Sequence, residues 1–175
     1  LLARAGGIVV PGVADALTAR LVEEAGFPIV YFTGAGFANT QFAIPDVGLT
    51  TMNEVVGQLD RICEAVSVPV LADGDTGYGN AISVRRTVRA FEKAGVAGIQ
   101  LEDQEFPKRC GHFDGKRVVS TEEMVNKIRA ALDARRDADF VVLARTDALT
   151  VLGVDQAVER AQMYAAAGAD ALMIE

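Results

Sequence analysis

The sequence predicts an α/β fold with a parallel sheet, of the (β/α)8 TIM-barrel type, from three observations. Apolar, β-branched runs alternate along the chain with stretches of helical periodicity. The runs are apolar almost throughout, which is typical of strands that are buried on both faces. The segments that follow the runs differ greatly in length, and long strand-to-helix loops build the active face of a barrel.

Six short apolar runs are the strand candidates, each rich in Val, Ile, Leu, Phe or Ala. They are Ile8–Val10, Ile29–Thr33, Val68–Asp73, Gly98–Glu102, Phe140–Arg145 and Ala171–Glu175. Because apolar and polar residues do not alternate regularly in these runs, neither face of the strands is expected to meet water.

Five helical stretches lie between the strands, with apolar residues at three- and four-residue spacing. They are Ala14–Ala25, Thr51–Val66, Ala81–Ala94, Thr121–Ala134 and Val154–Ala167. Ala25-Gly26, Ala94-Gly95 and Ala167-Gly168 each place a glycine just past the last helical turn, as is typical of a helix C-terminus. A unit of helix, Ala-Gly stop and strand therefore recurs, which predicts parallel strands joined by helices.

Strand and helix alternation by itself fits both a doubly wound sheet and a barrel. The unequal loop lengths favour the barrel. We expect residues 1–175 to form a single barrel domain, because no linker divides them. Since the last of the six predicted strands ends at Glu175, about two β/α units of a complete barrel would lie outside this sequence.

Composition and charge restrict the possible functions. Half of the 175 residues are hydrophobic, enough for a folded core. A net charge of −7 argues against a protein that binds nucleic acid through its phosphates. No apolar run approaches the ~20 residues that a membrane span needs. No secretory leader is visible, and Cys63 and Cys110 give no disulfide framework, so we expect a cytoplasmic protein.

Acidic residues follow two of the predicted strands. Asp73 and Asp75, at i and i+2 of an extended segment, project to one side, and glycines around them leave room for a ligand. Their carboxylates suit Mg²⁺, although the same residues would also stabilise an Asx turn. Glu102 and Asp103 end the fourth strand, where they would either hold the same metal or form an ordinary polar strand end.

The connection over residues 103–119 carries the densest group of reactive side chains. It spans roughly 17 residues, a length typical of a mobile lid. Its central residues are Lys108, Arg109, Cys110, Gly111 and His112. A cysteine flanked by cations exchanges a proton readily, whereas a zinc site needs more soft ligands than this loop holds. The alternative is an inert thiol in a solvated basic loop.

Polar residues also end two further strands. Arg145 closes an apolar strand, where its planar guanidinium would clamp a carboxylate or pair with one of the acids. Thr33 and the backbone N–H groups of residues 34–36 form a glycine-rich turn that suits an anionic group. By spacing alone, Asp46 is a turn residue and Cys63 is a packing residue within a predicted helix.

Four motifs together resemble those of one superfamily. They read KRCGH at Lys108–His112, DGDTG at Asp73–Gly77, LEDQ at Leu101–Gln104 and ARTDA at Ala144–Ala148. In order and spacing they are similar to the motifs of the isocitrate lyase/phosphoenolpyruvate mutase superfamily, and the cysteine-bearing motif marks its lyase branch. The resemblance covers essentially the whole chain. It implies a β/α barrel, usually a homotetramer in which subunits exchange a helix that would lie beyond Glu175.

The resemblance also implies roles for the matched positions. Mg²⁺, or Mn²⁺ in its place, would be held directly or through water by Asp73, Asp75, Glu102 and Asp46. Substrate would contact Thr33, Gly34, Ala35, Arg109, Gly111, Arg145 and Glu175. Cys110 would be the catalytic acid, tuned by Lys108, Arg109 and His112. For the base that takes a proton from a substrate hydroxyl, our candidate is Tyr31.

The implied reaction is the carbon–carbon cleavage of a 2-hydroxy di- or tricarboxylate to a 2-oxo acid such as pyruvate plus a carboxylate. Isocitrate lyases usually carry two lysines before the cysteine, whereas Arg109 stands second here. Phe113–Lys116 lacks the Arg-Pro-Asn of typical 2-methylisocitrate lyases. The expected substrate is therefore of the 2,3-dimethylmalate or 2-methylisocitrate type. The alternatives are a phosphonate-forming mutase, an oxaloacetate-cleaving hydrolase and a non-catalytic metabolite-binding barrel.

Overall fold

Six parallel strands form the sheet of the computed structural model, which describes residues 6–175. They are β1 (Gly12–Val13), β2 (Val30–Phe32), β3 (Val70–Asp73), β4 (Gly98–Glu102), β5 (Val141–Thr146) and β6 (Ala171–Ile174). The strands are hydrogen-bonded to one another in the order of the sequence. A doubly wound sheet reverses its strand order at a switch point, so this order selects the barrel from the two predicted architectures.

Seven helices occur in the described part of the chain. They are α1 (Ala16–Glu24), α2 (Gly34–Phe42), α3 (Met52–Ala65), α4 (Ala81–Lys93), α5 (Thr121–Ala134), α6 (Ala148–Leu152) and α7 (Val154–Ala166). The five predicted helices are confirmed, and their ends differ from the prediction by at most two residues. The sequence pattern does not predict α2 and α6, because both begin immediately after a strand. None of the helices within residues 6–175 has the length and apolar character to cross a membrane.

The predicted position of the first strand, Ile8–Val10, is wrong. The structure places β1 at Gly12–Val13, where the backbone first reaches β2. Val9 and Val10 are 68% and 38% exposed, so the apolar run lies outside the hydrogen-bonded ladder. Pro11, which has no N–H to donate, takes part in the contact only as an acceptor, through its carbonyl.

Alternation along the strands separates a layer that faces the helices from a layer that faces inward. Apolar strand residues such as Leu101 share one buried core with helix residues such as Phe91. The alternate positions at the strand ends are polar and include Asp73, Glu102 and Arg145. Since parallel strands bring their carboxyl ends to the same edge, these side chains meet at one end of the barrel.

Candidate active site

The carboxyl ends of the strands surround a cavity of about 400 Å³. Thirteen of the predicted site residues line it, namely Tyr31, Thr33, Ala35, Asp46, Asp73, Glu102, Lys108, Arg109, Cys110, Gly111, His112, Arg145 and Glu175. The other two, Gly34 and Asp75, lie against Asp73, because their backbone N–H groups donate to its carboxylate at 3.2 and 3.1 Å. The fold thus gathers residues from distant parts of the chain into one place.

Three carboxylates form an acidic centre at the ends of β3 and β4. Both oxygens of Asp73 accept backbone N–H groups, and a Cβ on Gly34 would lie only 3.0 Å from Asp73 Oδ2. Asp75 is buried and has a positive φ of 47°, which a short polar side chain tolerates. Glu102 is 2% exposed, and its Oε1 has no hydrogen-bond partner among residues 6–175. Unpaired buried carboxylates are costly, so the centre is suited to a cation.

Lys108 extends into the acidic centre instead of flanking the thiol of Cys110. Its side chain is 3% exposed, its ammonium hydrogen-bonds Asp46, and it lies 2.8 Å from Asp75 Oδ1. Burial lowers the pKa of Lys108, but the charges of Asp75, Asp73 and Glu102 outweigh that effect and hold it above its usual value. Lys108 therefore stays charged and neutralises part of the centre.

The electrostatics of the acidic centre favour a second cation. Burial, followed by the charge of Asp73, raises the pKa of Asp75 to about 6 and that of Glu102 well above its usual value. Among residues 6–175, no three His, Cys, Asp or Glu side chains stand in a ready-made metal cluster. The ammonium of Lys108 lies between Asp46 and Asp75. The unpaired oxygen of Glu102 nevertheless fits a hard divalent ion such as Mg²⁺.

Cys110 lies on the loop that covers the cavity and is partly exposed. Its N–H donates to the Asp46 carbonyl at 3.0 Å, and its Sγ is 3.9 Å from Nδ1 of His112, which is 85% exposed. Of the other cations predicted around the thiol, Lys108 points into the acidic centre, and Arg109 bonds the backbone of its own loop. His112 is therefore the ring positioned to exchange a proton with this thiol.

Arg145 faces the acidic centre from β5 and is held by Asp147. The two side chains form a bidentate pair, with Nε–Oδ2 and Nη2–Oδ1 distances of 2.9 and 2.8 Å. Glu102 Oε2 lies 3.7 Å from Arg145 Nε, and Glu175 Oε1 lies 4.0 Å from Nη2. A planar guanidinium fixed in this way presents its remaining donors in a defined orientation.

Three residues that support the site were missed by sequence reasoning. Asp147 holds Arg145, although its place two residues later in the ARTDA motif was a usable signal.

Gln104 is 1% exposed and holds the loop through two hydrogen bonds to the backbone of Arg109, at 2.8 and 3.0 Å. Lys127 reaches from α5 to the Thr76 carbonyl at 3.1 Å and so holds the segment that carries Asp75. A lysine on the apolar face of a helix was its only signal.

The chain begins α2 where a glycine-rich turn was expected. The Thr33 side chain caps the helix by accepting a hydrogen bond from the Gly36 N–H at 3.2 Å. The Gly34 N–H donates to the Asp73 carboxylate. Ala35, between them, lines the cavity. The positive end of a helix is a suitable place for an anion, so an anionic group would fit against Ala35.

Tyr31 belongs to β2 and lines the same cavity as Asp73 and Glu102. Burial, followed by the charge of Asp73, raises the pKa of its hydroxyl above the usual value. The hydroxyl is therefore protonated as long as no further cation is bound at the carboxylates. A cation bound at those carboxylates would oppose this effect, so the assignment of Tyr31 as a base stays a prediction.

We predict that Gly111→Ala lowers turnover by about tenfold or more, since displacing an active-site group by about 1 Å costs this much or more. The added Cβ would lie 2.6 Å from Glu175 Oε1 and would also overlap Arg145 Nη2. Arg145 cannot yield freely because Asp147 holds it at two points. Steady-state kinetics and a melting curve would measure the effect.

Gly57→Ala is the matched control for that substitution. Gly57 lies within α3, and a Cβ there would meet nothing within 4 Å. Alanine is the better helix former, so the melting temperature should stay equal or rise while turnover is unchanged. Full activity in Gly111→Ala would show that the loop does not approach Arg145 as closely as the structure indicates.

Fold and site together define a class, namely a TIM-type barrel protein with an acidic centre, an arginine and a cysteine-bearing loop at the carboxyl ends of its strands. The family profile described as phosphoenolpyruvate phosphomutase matches residues 1–175. The chain therefore belongs to this family, within the phosphoenolpyruvate mutase/isocitrate lyase superfamily.

Named relatives extend the comparison. The chain is 55% identical over 168 residues to 2,3-dimethylmalate lyase of Eubacterium barkeri, covering 96% of this chain and 58% of that protein. It is 48% identical over 174 residues to 2-methylisocitrate lyase of Shewanella oneidensis, covering 99% and 60%. It matches oxaloacetate acetylhydrolase in complex with 3,3-difluorooxalacetate with a TM-score of 0.92 and 44% identity, covering 96% and 58%. The chain thus spans between 58% and 60% of the length of these relatives.

Proposed function

We propose that the protein is a Mg²⁺-dependent carbon–carbon lyase that cleaves a 2-hydroxy di- or tricarboxylate of the 2,3-dimethylmalate or 2-methylisocitrate type. The products would be a 2-oxo acid such as pyruvate and a carboxylate. The observation that carries this proposal is the position of Cys110 on the cavity that the acidic centre and Arg145 share. The similarity to named lyases of both substrate types supports it.

Mg²⁺, with Mn²⁺ as a substitute, would be held by Asp73, Asp75 and Glu102, directly or through water, with Asp46 nearby. Bound there, it would supply Lewis-acid stabilisation of negative charge on the oxygens of the 2-hydroxy acid. The unpaired Oε1 of Glu102 and the raised pKa values of Glu102 and Asp75 support this site. Lys108 would compensate the remaining charge from within the centre.

The carboxylates of the substrate would bind at two places. Arg145 offers a fixed guanidinium on one side of the cavity. The α2 N-terminus, at Thr33, Gly34 and Ala35, offers its positive end on the β2 side. A dicarboxylate held at both ends would present its central bond to the loop that carries Cys110.

Two proton transfers accompany the bond cleavage. The hydroxyl proton goes to a base, for which Tyr31 is the candidate, and the hydroxyl oxygen becomes the carbonyl oxygen of the 2-oxo acid. The electrons of the broken carbon–carbon bond pass to the second fragment as an enolate-like carbanion. The Cys110 thiol then donates its proton to that carbon, with His112 beside it to return a proton. A closed loop over the cavity would exclude water from the carbanion.

A substrate panel tests the proposal. The full-length protein would be incubated with Mg²⁺ and with isocitrate, 2-methylisocitrate, 2,3-dimethylmalate or oxaloacetate in turn. We expect pyruvate from 2,3-dimethylmalate or 2-methylisocitrate, and its loss when the metal is removed with a chelator. Absence of product from all four acids would favour a non-catalytic metabolite-binding barrel.

An oxaloacetate-cleaving hydrolase is the second candidate. The high structural similarity to an oxaloacetate acetylhydrolase favours it, and the release of oxalate and acetate from oxaloacetate would identify it in the same panel. A phosphonate-forming mutase on this barrel would instead convert phosphoenolpyruvate, a conversion that phosphorus NMR detects. The cysteine-bearing motif argues against the mutase.

We further propose that residues 1–175 belong to one barrel domain of a cytoplasmic homotetramer whose partners are small carboxylates, not nucleic acid or membranes. The net charge of −7 supports the exclusion of nucleic acid. On α7, Val154 and Val158 lie four residues apart on one face of the helix and are 63% and 42% exposed, which supports a protein contact there. Light scattering of the full-length protein should give four times the mass of one chain.

A further inference from the structure

Lys116 is a buried lysine that none of the proposed catalytic steps uses. It lies at the far end of the covering loop, and its side chain is 3% exposed. Its ammonium donates to the Gly111 carbonyl, within the loop's reactive segment, and to Asp147 Oδ1 at 3.2 Å. A buried lysine is expensive unless it is paired, so these two bonds account for its position.

Asp147 connects Lys116 with Arg145. Its side chain is fully buried, and its Oδ1 accepts from both Lys116 Nζ and Arg145 Nη2, the latter at 2.8 Å. Its backbone N–H is fixed by Asp103 at 2.9 Å. One carboxylate therefore holds both the cation that bonds the loop and the cation that faces the cavity.

The loop is packed directly on this pair of cations. Gly111 approaches Arg145 Nη2 and Glu175 so closely that even a methyl group has no space. Cys110 is the preceding residue, and the Cys110 N–H is bonded to Asp46 on the other side of the cavity. The reactive segment is thus held on one side through Asp46 and on the other through Lys116.

We propose that Lys116 is a positioning residue that holds the Cys110–Gly111 segment closed over Arg145, and that Asp147 couples this closure to the orientation of the Arg145 guanidinium. When the loop is closed, Lys116 and Arg145 share Asp147, so each cation stabilises the placement of the other. The inference rests on the proposed function, because it takes Cys110 as the proton donor and Arg145 as a substrate ligand.

The test is the alkylation rate of Cys110 in the full-length protein carrying Lys116→Met. Iodoacetamide would be the probe, in a Cys63→Ala background that leaves Cys110 as the reactive thiol of the described chain, with modification at Cys110 located by mass spectrometry. We expect alkylation to become about tenfold faster than in the parent, the size of one lost charge-assisted hydrogen bond. We also expect kcat to fall by at least as much, with a smaller rise in KM because Asp147 still holds Arg145 through two hydrogen bonds.

Arg117→Met is the matched control, because this neighbouring cation is 74% exposed and pairs only with the partly exposed Glu105 among the described residues. It should alkylate and turn over at the parent rates. Asp147→Asn tests the coupling in a second way, since it keeps the side-chain volume and should also speed alkylation. If Lys116→Met is too unstable to assay, Asp147→Asn decides the question alone.

Alkylation at the parent rate in the folded variants would overturn the inference. The alkylation readout does not depend on catalysis. Faster alkylation in a protein that turns over none of the four acids would leave the loop inference standing and reject the proposed lyase. If the variants are alkylated at the parent rate and the parent shows lyase activity, the loop inference is rejected and the proposed lyase stands.

Discussion

Cys110→Ser should lower kcat by about 10²- to 10⁴-fold, the range for loss of a general acid. Serine has nearly the shape of cysteine, but a hydroxyl is a far weaker proton donor than a thiol. The residues proposed to bind Mg²⁺ and the substrate carboxylates do not include Cys110 Sγ. Titration calorimetry should therefore find Mg²⁺ and oxalate, as a mimic of the 2-oxo acid fragment, bound as tightly as in the parent.

Cys63→Ser is the control for this substitution. Cys63 lies in α3, and burial, followed by the charge of Asp60, raises the pKa of its thiol to about 11. It is therefore an unreactive packing residue, and its replacement should leave kcat unchanged. If Cys110→Ser turned over at the parent rate, the assignment of Cys110 as the acid would be wrong.

The fold was predictable because its strongest determinants are local. Buried parallel strands are apolar almost throughout, and each Ala-Gly pair marks a helix end. In the structure Gly26, Gly95 and Gly168 have φ values of 88°, 91° and 103°, which a side chain would strain. The first strand was misplaced because the apolar run at residues 8–10 looks like a strand, and only pairing with β2 determines which residues form the ladder.

The place of the site was also predictable, since parallel strands bring their carboxyl ends together. The hydrogen-bond and ion-pair partners of each side chain could not be predicted from the sequence. Lys108 appears in sequence as a neighbour of Cys110, yet it pairs with Asp46 and Asp75, which lie far away along the chain. Which of two adjacent carboxylates faces inward depends on strand register. Glu102 faces the cavity, whereas Asp103 turns towards α7.

That outward orientation makes Asp103 a structural residue. It is 0% exposed, and its Oδ2 accepts from Thr146 Oγ1, the Tyr164 hydroxyl and Arg160 Nη1 at 2.7, 2.7 and 3.0 Å. Its Oδ1 accepts the backbone N–H of Asp147. One carboxylate therefore ties the end of β4 to the end of β5 and to α7.

Asp103→Ala should lower the free energy of unfolding by about 3–5 kcal/mol, the usual cost of removing one partner of a buried ion pair. The loss arises because Arg160, whose side chain is 9% exposed, keeps its charge without this partner. Urea unfolding followed by circular dichroism would measure it. The control is Asp133→Ala, since Asp133 is 73% exposed and a surface substitution of this kind stays within about 0.5 kcal/mol.

A double variant separates the buried charge from other causes of the loss. Asp103→Leu combined with Arg160→Met removes both charges and leaves apolar groups of similar size. Replacing both partners is far less costly than removing one. The double variant should therefore be more stable than Asp103→Ala, and the two sites should be strongly coupled in a mutant cycle. A double variant as unstable as the sum of its single changes would mean that Thr146 and Tyr164, and not Arg160, make Asp103 indispensable to the barrel.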